Sequence, residues 1–246
     1  MASAPQPTPS GAAEDESTRE PLWVPVAREL VDRIVGGAYP VDSTIPTENE
    51  FGVEFHVSRT VIRESIKTLV HSGLLRIDRG RGTVVEQPSR WRSLDPMVLA
   101  ARLVHDHDFE VLRELFVVRK GVEPELAAIV AKSATEVDIA RIGSRVDDLM
   151  NSLCDADCYR AADGAFHEAI ADIAGVSLAR EFLHAMAEPL ALGRALTNQI
   201  PGGVDAAHGH HLAVFRAILD RDPHAAREAM RRHIQWAEDH LDQIES

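Results

Sequence analysis

Cysteine is almost missing from this chain. Only Cys154 and Cys158 occur in 246 residues, which excludes a disulfide-built fold, and no second pair exists to complete a structural zinc site. Four apart in a region of helical pattern, they read as reduced thiols of a cytoplasmic protein. Also missing is any run of about 18 apolar residues, the length a membrane-spanning helix requires. The amino terminus has neither the basic start nor the apolar centre of a secretory signal. Rich in Pro, Ser, Ala and acid, residues 1–21 read as a disordered tail. Positive charge is scarce as well: Lys and Arg number 26 against 39 Asp and Glu, a formal net charge of -13.

What remains is ordinary for a globular protein, with 45% hydrophobic and 26% charged residues and length for one large or two modest domains. The scarce positive charge is concentrated. Residues 55–85 hold six Lys or Arg against two acids, whereas everything after residue 90 holds 16 basic and 26 acidic residues. A basic segment attached to an acidic body suggests a polyanion-binding module joined to a separate one.

The amino-terminal module reads as residues 22–88. Residues 22–35 have an apolar stripe (Leu22, Val26, Leu30, Ile34) stopped by Gly36-Gly37. Thr47 caps a short second helix over 48–55, with Glu50 closing a capping box. After a turn at His56-Val57, Ser58 caps a third helix that runs to Ser72 and stops at Gly73. Ile62, Ile66, Leu69 and Val70 give it an inner face; Arg59, Arg63 and Lys67, spaced four apart, share another. Arg59 and Thr60 lie in the first turn, where a recognition helix meets base edges, and arginine grips guanine or phosphate bidentately. Two β-type runs, 74–78 and 83–87, flank Arg79-Gly80-Arg81-Gly82, a basic hairpin tip. Two helices, a basic third helix and a basic hairpin make a winged helix-turn-helix, and the expected partner is double-stranded DNA.

This stretch resembles the DNA-binding domain of the GntR family of bacterial transcription regulators. Pro46, Glu48, Glu50, Val57, Ser58, Arg59, Thr60, Arg63, Glu64, Gly73, Leu74 and Gly82 match that family's pattern. Asn49 departs from it, standing where relatives carry an arginine that often touches DNA. The resulting DNA-contact set is Thr47, Asn49, Ser58, Arg59, Thr60, Arg63, Lys67, Arg79, Arg81 and Gly82.

Residues 89–94 read as a linker, and residues 95–246 as an all-α antiparallel bundle of helices. The expected helices span 109–131, a segment capped by Thr135 with Asp138, then 158–174, 178–198, 206–219 and 223–241, with a break at Pro201-Gly202-Gly203. Asp163 and His167 are four apart on one helix face. His211 and His233 each lie 11 residues from Asp222, so an antiparallel hairpin would bring them level, ~16 Å from its turn. One carboxylate and three imidazoles suit a divalent cation such as Zn, Ni, Mn or Fe. Spacing alone leaves open that these are satisfied core residues. His208, His210, His224 and His240 read as surface.

This half is similar to the all-helical FCD effector domain of the FadR-type branch of the same family. Arg119 with Glu123-Pro124, the run Asp163 to His167, His211 and the segment through Asp222 to His233 carry the likeness. Val176 departs from an asparagine common there. The resemblance implies a metal held by Asp163, His167, His211 and His233, with a small carboxylate effector completing its shell; Arg119 or Arg194 is the cation expected to pair with that effector, and a structural salt bridge to a nearby acid is the other reading of Arg119. Trp91, Leu94-Asp95 and Val98-Leu99 are similar to a subset that senses sugar acids such as galactonate. The expectation is a metabolite-responsive repressor, a homodimer on an inverted-repeat operator. Its alternatives are a regulator with a purely structural metal and a metal-dependent hydrolase or lyase; Glu168 does not suit the latter, since it diverges by ~100° from its neighbour His167.

Overall fold

The structure is a computed structural model that describes residues 20–187, 190–191 and 202–241. Its amino-terminal part contains α1 (Trp23–Val35), α2 (Glu48–Glu54), α3 (Arg59–His71) and the antiparallel pair β1 (Leu75–Asp78) and β2 (Gly82–Val85). The pair runs in the register Leu75 opposite Val85 and Asp78 opposite Gly82, with Thr44 bridging to Val84 on the outer side. Local chemistry sets these elements. Thr47 accepts from the Glu50 amide while the Glu50 carboxylate accepts from the Thr47 amide, a complete capping box, and Ser58 caps α3 through the Val61 amide. Gly73 ends α3 at φ 75°, and a Cβ there would lie 2.3 Å from the Arg90 carbonyl oxygen, so the backbone approach admits only glycine.

The core of this part joins Val26, Leu30, Ile34, Phe51, Ile62, Leu69 and Leu74. Two details differ from the expected faces. Leu22 caps α1 and is 69% exposed rather than part of its stripe. Ser65 is fully buried, and its hydroxyl donates within hydrogen-bond reach of both the Trp23 and Val61 carbonyl oxygens, tying α3 to α1.

Residues 89–94 pack onto the winged part. A 3-10 turn spans Pro88–Arg90, the Arg92 amide donates to the Ser72 carbonyl, and the Trp91 ring packs against the core. The next helix, α4 (Pro96–Val104), is tied to the same part at both ends. Asp95, its N-cap, accepts from the Ser72 hydroxyl at 2.6 Å, and His105 at its other end meets Asp32 of α1 at 3.0 Å. Val98 and Ala101 enter the amino-terminal core, and Leu99 faces the second.

The second core belongs to a helical bundle: α5 (Glu110–Ser133), α6 (Glu136–Asn151), α7 (Ala156–Ala174), α8 (Ser177–Ala185), α9 (Gly203–Leu219) and α10 (Pro223–Asp239). The expected caps Thr135 and Asp138 form a second complete capping box. Asp155 caps α7 and so starts that helix two residues earlier than expected. The expected 178–198 helix is described as α8, which ends at its C-cap Met186, with Ala187 and residues 190–191 following; residues 188–189 and 192–198 lie outside the described residues. α10 lies along α5 and forms the hairpin with α9 through Asp222, which caps α10 through two amides. Tyr159, Phe166, Leu149 and Met230 are fully buried between these helices. No helix among the described residues is long and apolar enough to cross a membrane.

Candidate functional sites: a basic reading head and a buried metal centre

All ten residues expected at DNA are exposed. The first turns of α2 and α3 converge, so that Glu48 lies 3.9 Å from Arg59 and 3.4 Å from Arg63. One carboxylate thus steers two guanidinium groups that stay more than half exposed, a weak hold by the standards of surface pairs. Lys67 pairs with Glu64 at 2.8 Å on the next turn. Across an open cleft from Thr47 and Glu48 stand Arg81 and Gly82 of the wing, so α2 and the hairpin tip flank one surface. Arg81 donates to the Asp42 carbonyl at 2.6 Å, which anchors the tip.

At the other end, α7, α9 and α10 bring Asp163, His167, His211 and His233 together, all buried, with one ligand atom from each within 4.8 Å of all the others. His211 Nε2 lies 3.0 Å from Asp163 Oδ1, His167 Nε2 lies 3.1 Å from His233 Nε2, and His167 Nε2 lies 3.9 Å from Asp163 Oδ2. Donors bonded at ~2.1 Å to one cation stand ~3.0 Å apart at a right angle and ~3.4 Å apart at a tetrahedral angle. The 3.0 Å and 3.1 Å pairs fall at that spacing, and the wider ones, up to 4.8 Å, would draw inward on a bound ion.

Its surroundings favour neutral imidazoles aimed at a cation. Burial pushes the His233 pKa well down, and His211 and His167 beside it push the same way. Burial lowers His167 too, against the pull of Glu123. Glu123 of α5 faces His167 Nδ1 at 2.5 Å, and the Tyr159 hydroxyl lies 3.2 Å from His211 Nδ1. When the His211 Nδ1–H donates to the Tyr159 oxygen, its Nε2 keeps its lone pair for a metal, the usual outer-shell device of histidine sites; Glu123 meets His167 Nδ1 as a close charge contact and not as an aligned hydrogen bond. Burial raises the Glu123 carboxyl, but Arg119 and His167 outweigh it and hold it far below the ordinary carboxylate range. Burial likewise pushes the Tyr159 phenol up, with Asp163 and Asp205 adding to it, so it stays protonated.

Arg119 does not face this centre freely. Its guanidinium donates to Glu123 at 2.6 Å in a buried pair, because the two are one turn apart on α5 and neither could be buried alone. Arg194, the other expected effector cation, lies outside the described residues. Glu123 and Tyr159 received no role from the sequence. A signal existed for each: Tyr159 precedes Asp163 by four residues on the same helix face, and Glu123 follows Arg119 by four. Of the four histidines expected on the surface, only His224 is exposed. His208 is 9% exposed because it sits three residues before His211 on the inward side of α9. His210 and His240 are half-buried against Trp236.

Residues 24–85 match the model of the bacterial regulatory proteins of the gntR family, and residues 114–235 match the FCD domain. The galactonate operon transcriptional repressor of Escherichia coli is 31% identical over 81% of this chain and 88% of its own length. The chain belongs to the GntR family. This GntR-family protein is a DNA-binding transcriptional regulator, and the enzyme alternative is set aside. The transcriptional repressor NanR of Klebsiella aerogenes is 26% identical over 88% of this chain and 84% of its own. Among solved structures, Lar, described as controlling the Listeria monocytogenes agr system, superposes with a TM-score of 0.64 at 14% identity, covering 92% of this chain and 99% of that one, which supports the fold.

Proposed function

We propose that this GntR regulator is a repressor released by a small organic acid that binds at the Asp163, His167, His211 and His233 centre. The observation that carries the reading is the convergence of those four buried side chains from three helices, one carboxylate and three imidazoles, a donor set that suits a divalent cation. A divalent ion held there, Zn, Ni, Mn or Fe, supplies a Lewis-acidic position for a carboxylate. Tyr159 holds the His211 ring in the competent tautomer, Glu123 steadies His167 by its charge, and Arg119 acts on the centre through Glu123. A sugar acid is the favoured effector class, since a repressor named for galactonate is a relative of this chain over most of its length.

On DNA, two protomers present two α3 helices to an inverted repeat in the cytoplasm, with Arg59, Thr60 and Arg63 at the base edges and the wing arginines Arg79 and Arg81 beside them. Thr47, Asn49, Ser58, Lys67 and Gly82 complete the contact set. An effector that binds one bundle conformation better than another shifts the spacing of the two heads, with a coupling of about 1–3 kcal/mol. A purely structural metal is favoured by one observation, the engagement of Arg119 with Glu123. Operator binding measured while galactonate is titrated into metal-loaded protein separates the two. Release of DNA supports sensing; operator affinity indifferent to galactonate and to other small acids leaves the metal structural.

A further inference from the structure

An acid sits in the middle of the surface assigned to DNA. Four glutamates lie between residues 47 and 67, and three of them are engaged locally: Glu50 in the Thr47 capping box, Glu54 on Arg33 and Glu64 on Lys67. Glu48, in the first turn of α2, reaches α3 instead. Its carboxylate lies against Arg59 and Arg63, and its side chain is less exposed, at 31%, than theirs at 65% and 57%. Negative charge facing a polyanion weakens binding, so affinity for DNA does not account for it. The positive end of α2 favours an acid in that turn, which leaves its contact with two arginines of another helix unexplained.

The contact with Arg63 is side-on. Arg63 Nε lies 3.5 Å from Oε1 and Nη2 lies 3.4 Å from Oε2, so one edge of the guanidinium faces both carboxylate oxygens. The end-on edge, Nη1 with the outer hydrogen of Nη2, is left for a ligand, and such an edge matches O6 and N7 of guanine. Arg59 is approached through a single atom, its Nη2 at 3.9 Å. In water, exposed pairs of this kind hold weakly. Once a duplex covers them and water leaves, the same charges attract more strongly. The hold therefore tightens where base edges come within reach.

From this geometry we propose that Glu48 is a positioning residue for sequence reading, and that its charge also disfavours docking on DNA of the wrong sequence. It holds Arg63 side-on and Arg59 by one nitrogen, which directs their free edges to guanine instead of the nearest phosphate. A guanidinium gripped in this way loses less freedom on meeting a base edge, because its orientation is already set. On a duplex that lacks the sequence, both arginines must leave the carboxylate to neutralise phosphates, and Glu48 is left facing the polyanion unpaired. The inference rests on α3 as the reading helix and concerns how its arginines choose between base and phosphate.

The test uses the full chain and duplexes with a randomised centre. Sequencing the bound fraction gives a preferred duplex, and affinity is then measured for it and for a scrambled duplex of the same composition. Glu48→Gln should bind the scrambled duplex more tightly and with a steeper salt dependence, by about 0.9 in slope for each further phosphate neutralised. Its preference for the selected duplex should fall about tenfold, roughly threefold at each of two heads. Glu64→Gln removes the same charge from the same face and frees only Lys67; it should tighten scrambled binding and keep the preference within about threefold of native. Glu48→Asp keeps the charge and withdraws it by one methylene, so it should lose preference as well, and it serves if the Gln variant does not fold. A preference kept within about threefold of native by both Glu48 variants, or lost equally in Glu64→Gln, overturns the proposal. If Arg59→Ala with Arg63→Ala also keeps its preference, the assignment of α3 as the reading helix has failed. If that pair loses it while the Glu48 variants keep theirs, only the role of Glu48 has failed.

Discussion

Replacing Glu123 by Gln keeps its shape and removes its charge, which isolates the link between the buried ion pair and the proposed metal centre. In the native protein this carboxylate accepts from Arg119 at 2.6 Å and lies 2.5 Å from His167 Nδ1, with all three groups buried. Neutralising it leaves the Arg119 guanidinium buried without a counter-charge, a change that costs about 3–5 kcal/mol in comparable cases. For a domain of this size each kcal/mol lowers the melting temperature by about 2–4 °C, so a fall of roughly 6–20 °C is expected. The second effect is independent. An amide holds the ring less firmly and makes it less basic, which weakens metal binding by about 10–100-fold. Thermal unfolding of metal-free protein reads the first effect, and competition against a chromophoric chelator at a temperature where the variant is folded reads the second. A folded Glu123→Gln variant whose metal affinity stays within threefold of the original would refute the orienting role and reduce Glu123 to a partner for Arg119.

Other perturbations test other joints. Arg59→Ala with Arg63→Ala should abolish specific operator binding in a shift assay while circular dichroism stays unchanged, since both side chains are exposed; retained specificity moves recognition away from α3. Thr135→Ala removes one capping box and should cost about 1 kcal/mol in urea unfolding, with no effect on DNA binding. Gly73→Ala combines positive φ with a Cβ 2.3 Å from the Arg90 carbonyl; a stability loss above about 1 kcal/mol is expected, and a neutral result would mean that residues 89–94 do not pack against the winged part.

What could be read in the sequence follows the range of the interactions involved. Both capping boxes, the Ser58 cap and the hairpin tip are set by residues within four positions, and the structure reproduces them. The four candidate ligands were legible because helix periodicity fixes Asp163 against His167, and the Asp222 turn fixes His211 against His233. The pairing of Arg119 with Glu123 is an i,i+4 contact that sequence spacing allows, whereas the burial of both partners depends on how α5 packs in the bundle and leaves no local trace. The attachment of α4 to the winged part rests on Ser72–Asp95 and Asp32–His105, contacts 23 and 73 residues apart that leave no periodic trace. His208 was assigned to the surface by its residue type, whereas its place on α9 turns it inward.

The most direct test of the account is a metal titration read by operator binding. Metal-stripped protein should bind one equivalent of Zn, Ni or Mn tightly, and His211→Ala should lose that binding. Galactonate, or another small acid, should release operator from the metal-loaded original and not from His211→Ala. Full metal binding by the His211→Ala variant, or acid-driven release that survives in it, contradicts the claim that these four side chains form the sensor.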